Sequence, residues 1–135
     1  MQVLAQSESL LSVDALISDL ASKAPVARER ARKSLIALRS PEVVAALSAL
    51  LSDSDAHVRW EAAKTLIHLA APAAAPALVH ALEDHSEDVR WLSSQALMGL
   101  GVEGIVPVLK AIMRRASSPL LCEGAYRVLR AIDCG

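Results

Sequence analysis

Phenylalanine is absent from the 135 residues, and aromatic side chains make up 2% of the chain, as two tryptophans and one tyrosine. A core without aromatic bulk must be assembled from leucine and alanine, which suits helices packed closely through small residues. Cysteine is scarce: Cys122 and Cys134 form neither a disulfide framework nor a zinc-ligand spacing, as expected for reduced thiols in a cytoplasmic setting. The five glycines are scattered near helix ends, so no glycine-rich phosphate loop is present. Neither sign of charge dominates. Fourteen basic and 15 acidic residues leave −1, so no bulk field calls for nucleic acid or a membrane surface. Long apolar runs are missing as well. The longest uncharged stretch, Thr65 to Leu82, holds Pro72, Pro76 and two histidines, which argues against a membrane span. The opening MQVLAQSESLL lacks the basic start and apolar run of a signal peptide.

What is present is a repeat. VRWEAAKTLIHL, from Val58 to Leu69, returns as VRWLSSQALMGL from Val89 to Leu100, an offset of 89 − 58 = 31 residues. On that ruler Arg28, Arg59 and Arg90 fall in register, as do Leu35, Leu66 and Leu97, and Leu38, Leu69 and Leu100. Upstream, Leu16, Leu47 and Leu78 align, then Leu20, Leu51 and Leu82. A last copy fits with one inserted residue: Leu121, Ala125, Leu129 and Ile132 follow Val89, Ser93, Leu97 and Leu100 by 32. A period in this range is the signature of a solenoid, whose units bury their cores only by stacking.

Each of the four units divides into two helices. The first helices are expected over Ser9–Ser22, Pro41–Leu51, Ala73–Glu83 and Glu103–Arg115, and the second over Val26–Leu38, Ala56–Leu69, Glu87–Leu100 and Pro119–Ile132. Ser40 before Pro41 supplies a capping hydroxyl followed by a proline whose missing N–H is harmless there. Pro76 and Pro107 belong in or near a first turn, since a mid-helix proline costs about 3 kcal/mol. Asp53, Asp55, Glu83, Asp84, Glu87 and Asp88 make the entry turns of the middle second helices acidic, which suits the positive end of the helix dipole. The links are too short for a second domain, so residues 1–135 are read as one.

An Asp-rich turn, then Val-Arg, small mid-helix residues and leucines resembles HEAT repeats, and more narrowly the short HEAT-like repeats of phycobilin lyase subunits. The resemblance is clearest from Val43 to Leu109 and weakest in the end units, where Ala27 and Leu121-Cys122 depart from Val-Arg. It implies an all-α fold: a right-handed α-solenoid of four HEAT-like two-helix repeats, with the second helices lining the concave surface. It also implies that Arg28, Arg59 and Arg90 form a structural ladder with turn carboxylates such as Asp53 and Asp84, in place of an anion site.

Helical geometry, at about 100° per residue, puts Val58, Ala62, Leu66 and Leu69 on a core face and Trp60, Lys64 and Ile67 on the opposite one. Trp91, Gln95 and Met98 repeat that triplet. The first unit continues the wall with Glu29, Lys33 and Ile36, and the last with Glu123, Tyr126 and Arg130. An apolar row facing away from the core is a candidate recognition surface. The competing reading packs Ile67 and Met98 between units and lays the indoles beneath Lys64 or arginine stems. Lys23 to Arg39 holds six basic residues against Glu29, while Glu42 to Asp88 holds eight acidic ones, so a basic rim would favour an acidic partner.

Catalysis finds little support. His57, His68, His80 and His85 lack the His-Glu pairs of di-iron HEAT-repeat hydroxylases, so no metal site and no cofactor is expected. Cys122, near a helix start, has no base placed beside it. The function expected is a non-enzymatic scaffold that binds a protein or peptide on its concave wall. The alternative is a lyase-like or chaperone subunit handling a tetrapyrrole, and the wall is also a possible homodimer seam. Leu10, Leu11 and Ile132 are the residues available to shield the two end faces.

Overall fold

Leucines three and four residues apart give each segment one apolar stripe, and helices with such a stripe gain stability by burying it against one another. The computed structural model describes residues 13–133, with side chains through residue 131. The expected helix start at Ser9, the shielding roles of Leu10, Leu11 and Ile132, and Cys134 therefore lie outside the described residues. The helices are α1 (residues 13–20), α2 (Pro25–Leu38), α3 (Pro41–Leu50), α4 (Ala56–Leu69), α5 (Ala75–Ala81), α6 (Glu87–Gly99), α7 (Val102–Arg115) and α8 (Pro119–Asp133). The hairpins α3–α4, α5–α6 and α7–α8 stack into two layers. In one, α2, α4, α6 and α8 pack in succession; in the other, α3, α5 and α7 do. This is an α-solenoid. The leucines placed in register supply most of its core: Leu35, Leu66 and Leu97, Leu47 and Leu78, Leu20, Leu51 and Leu82, and Leu69 are buried, whereas Leu16 and Leu100 are half-buried and Leu38 is exposed. Each buried leucine contributes on the order of 1.5–3 kcal/mol by leaving water.

The turn between the helices of a unit is built the same way each time. Side-chain oxygens of Ser22, Asp53 and Asp84 accept hydrogen bonds from the backbone N–H two residues on, at 3.1, 2.9 and 2.9 Å. Asp55 and Ser86 then cap α4 and α6, accepting from His57 N and Val89 N. Arg28, Arg59 and Arg90 each donate through Nη1 to the carbonyl six residues back, that of Ser22, Asp53 and Asp84, at 2.8, 2.9 and 2.8 Å. A buried turn carbonyl needs such a donor. In the last unit Cys122 takes the arginine's place, and its thiol donates to the carbonyl of Ala116 at 3.3 Å. The thiol has become part of the turn.

Most helix boundaries fall within a residue or two of expectation, and of the two prolines expected in a first turn one is there and one is not. A 3₁₀ turn over Pro72–Ala74 precedes α5, so that Pro76 sits in the first α-turn. Pro107, by contrast, lies inside α7, because that helix starts at Val102 directly after Gly101. A glycine at φ 61° reverses the chain in one residue and leaves no room for a 3₁₀ lead-in.

Arg39, Ala70 and Gly101 are 31 residues apart and are, among the described residues, the three of positive φ, at 50°, 47° and 61°. Arg39 also donates from Nη2 to the carbonyl of His68 at 3.0 Å, covering an open acceptor at the end of α4. Ala70 has no such compensation. Ala70→Gly is expected to stabilise the protein by about 0.5–1 kcal/mol, the relief of a left-handed β-carbon outweighing the entropy glycine adds to the unfolded chain. A urea midpoint unchanged or lowered would contradict that conformation at residue 70.

Candidate partner-binding surface

The wall formed by α2, α4, α6 and α8 carries the residues singled out in the sequence, but it does not expose them equally. Trp60 is half-buried and packs against the core, as do Ile67 and Met98. The His57 ring stacks on its indole at 5.8 Å between centroids and 9° between planes, and Lys64 Nζ lies 4.6 Å from the ring centroid. Those two groups close the Trp60 end of the wall. Trp91 has Asp88 and Gln95 in the corresponding places, neither able to stack in the same way, and remains 48% exposed. The cation over its ring comes from the next helix instead, with Arg127 Cζ 5.3 Å from the centroid.

Arg127 is the wall residue that the sequence reading passed over. The inserted residue in the last unit puts Arg127, not Tyr126, in the register of Lys64 and Gln95, since 127 − 95 = 32. Its guanidinium is held by Glu123 Oε1 at 2.8 Å, an i,i+4 pair on α8. Tyr126 is 64% exposed and stands next to it. Together Trp91, Met98, Tyr126, Arg127, Arg130 and Ala131 line an open, mainly apolar pocket of about 310 Å³ between α6 and α8. At the other end of the wall, Lys33 is exposed and paired with Glu29 at 3.1 Å. That hydrogen bond, and then the Lys33 charge, hold the Glu29 carboxyl below its ordinary pKa.

The basic rim expected around Lys23 to Arg39 is partly consumed inside the fold. Arg32 Nη1 donates to Glu61 Oε2 at 2.9 Å, Arg28 Nε lies 3.4 Å from Oε1, and His57 Nε2 lies 3.8 Å from the same oxygen. Glu61 is 2% exposed, a carboxylate clamped between α2 and α4. The ladder therefore varies from unit to unit. Arg59 grips Asp84 of the following unit with two hydrogen bonds, at 2.8 and 3.1 Å, whereas Arg28 turns to Glu61 and not to the Asp53 carboxylate. Asp53 takes part through its carbonyl and as an acceptor for Asp55 N.

A larger groove, about 500 Å³, runs between α5 and α7 past Pro76, Val79, Pro107 and Lys110. Another, about 390 Å³, runs between α3 and the 3₁₀ turn before α5, past Pro41, Val44, Ser48 and Pro72. Ser48 and Val79, which share a register, each line one of these grooves, and both grooves follow seams between stacked units. The Trp91 pocket has no such duplicate among the described pockets. Among the described residues, no three His, Cys, Asp or Glu side chains are grouped to hold a metal, and no helix is long and apolar enough to cross a membrane.

Comparison with known proteins places this arrangement. The family description "HEAT repeats" matches residues 13–98, well over half of the chain. Human deoxyhypusine hydroxylase, solved with glycerol, is similar in structure at a TM-score of 0.65 and 28% identity, over 96% of this chain and 46% of that one. Two engineered proteins solved by a structural-genomics consortium are similar at 21% and 22% identity, with TM-scores of 0.54 and 0.51 over 90% of this chain. The chain spans 62% and 37% of their lengths. None of the curated proteins matches it.

Proposed function

The chain belongs to the HEAT-repeat family, and from that premise we propose that it is a non-enzymatic scaffold whose second-helix wall, taken as the concave side, binds a segment of a protein partner. The observation that carries this reading is the pocket at Trp91. An exposed indole and phenol beside two arginines combine an apolar floor with fixed positive charge, the composition from which binding hot spots are made. The matching ligand is a short helical or extended peptide with a bulky apolar side chain flanked by Asp or Glu. The site centres on Trp91, Met98 and Tyr126; Trp60, Lys64, Ile67, Gln95 and Lys33 extend the wall on the side where Trp60 is already covered.

Selection from a displayed peptide library is expected to enrich acidic sequences with one apolar anchor. Trp91→Ala should weaken the selected peptides at least tenfold, roughly the loss expected of a hot-spot aromatic, and Trp60→Ala much less. Libraries that yield no enriched sequence, or peptides indifferent to Trp91→Ala, would defeat the proposal.

A further inference from the structure

The groove between α5 and α7 changes character along its length. The two are first helices of neighbouring units and run in the same direction, with Pro76 and Pro107 in register. Towards their N-terminal ends the lining is apolar, with Pro76 and Val79 on α5 and Val106 and Pro107 on α7. Towards their C-terminal ends it becomes cationic, with Lys110 and Arg114 one turn apart on α7 and His80 on α5. Arg115 at that end is neutralised by Glu83, whose other oxygen accepts from Ser118 Oγ at 2.8 Å. Lys110 and Arg114 are exposed and take part in none of the ion pairs among the described residues. Stacking does not demand these charges: one unit earlier Val79 and Glu83 hold the same places, and before them Ser48 and Ser52. The groove beside α3 has one cation, Arg39, already bonded to the His68 carbonyl. Arg114, in the last turn of α7, suits the helix dipole, but Lys110 lies a turn too early for it.

We propose that the α5–α7 groove binds a small amphiphilic anion, an alkyl chain ending in a carboxylate. The chain lies along Val79, Val106 and the two prolines, and the carboxylate sits on Lys110 and Arg114. The volume of about 500 Å³ falls within the range of small-molecule sites, roughly 300–1,000 Å³. From Val106 to Arg114 the helix advances 114 − 106 = 8 residues, about 12 Å at 1.5 Å per residue. The apolar and cationic ends are therefore one medium-length alkyl chain apart. No carboxylate lines the groove, so an anionic head meets attraction without a competing repulsion. An acidic peptide fits less well. Its charges would be spread along its length, whereas those of the groove are gathered at one end. The site lies in the other layer of the solenoid from Trp91, between two units, and does not depend on peptide binding at that pocket.

Octanoate, kept below its micellar range and titrated into the isotope-labelled full chain, should shift the amide resonances of α5 and of α7 from Val106 onwards, and the shifts should saturate. Octanol, which has the chain without the charge, and acetate, which has the charge without the chain, should each bind at least tenfold more weakly. Lys110→Glu with Arg114→Glu should weaken octanoate about tenfold or more, and so should Val106→Asp at the other end, where a carboxylate is set against the chain. All three positions are exposed, so the circular dichroism of the native fold should be retained. Trp91→Ala should leave octanoate binding unchanged, which separates this site from the peptide pocket. Shifts that fail to saturate at millimolar octanoate would overturn the proposal. So would shifts centred on Trp91, octanol bound as tightly as octanoate, or an affinity that the charge reversals leave intact.

Discussion

Glu61→Leu should cost the fold about 3 kcal/mol, a large part of the stability of a domain this size. The carboxylate is 3% exposed while Arg28 and Arg32 beside it keep 18% and 17% of their side-chain surface, so its loss strands two partly desolvated guanidinium groups. Their residual contact with water, and the bond Arg28 keeps to the Ser22 carbonyl, hold the loss at the lower end of the range for broken buried pairs. The repeat itself supplies the compensating change. Arg32 and Glu61 correspond to Ala63 and Leu92 one unit later, both apolar and both part of the core or packed against it. Arg32→Ala with Glu61→Leu copies that junction and should recover most of what Glu61→Leu loses, since a packed apolar pair is no worse than a desolvated ionic one. Urea unfolding of the four proteins of this cycle gives the coupling energy directly. A coupling below about 0.5 kcal/mol would mean that Arg32 and Glu61 do not act as a pair.

The 31-residue period made the architecture readable, because a solenoid's core is its periodicity. Most leucines in register are buried, with Leu38 at the start of its row exposed, arginines in register reach the same turn carbonyl, and the positive-φ positions recur at the same spacing. What the period could not convey lies where one unit differs from the next. Glu61 stands in register with Arg30, Leu92 and Gly124, so in sequence it is one more charge within an acidic run. Only the spacing between α2 and α4 turns it into a buried acceptor. Trp60 and Trp91 have the same register, yet one is covered and the other open. The difference comes from their neighbours: His57 and Lys64 can cover an indole, whereas their counterparts Asp88 and Gln95 do not. Arg127 was hidden by the single inserted residue, which moves every assignment on α8 by one position. Counting 32 from Gln95 would have found it.

That insertion falls in the same unit as a close helix contact at Gly104, and there a one-carbon change should have a large effect. A β-carbon on Gly104 would lie 2.6 Å from the backbone carbonyl oxygen of Leu97, a separation that carbon and oxygen do not tolerate. Glycine to alanine inside a helix ordinarily gains about 1 kcal/mol. At Gly104 the obstacle is the backbone of α6, which cannot rotate away as a side chain could, so α7 must shift. The expected outcome is a net loss of about 2–3 kcal/mol, of the size found when well-packed cores are overfilled. Gly99 supplies the control: it lies at the end of α6 with nothing within 4 Å of its β-position, so alanine there should be neutral or slightly stabilising. The two variants make the same chemical change in adjoining helices and should move the urea midpoint in different ways. Equal midpoints would mean that α7 is not seated on α6 as the one-residue reversal at Gly101 requires.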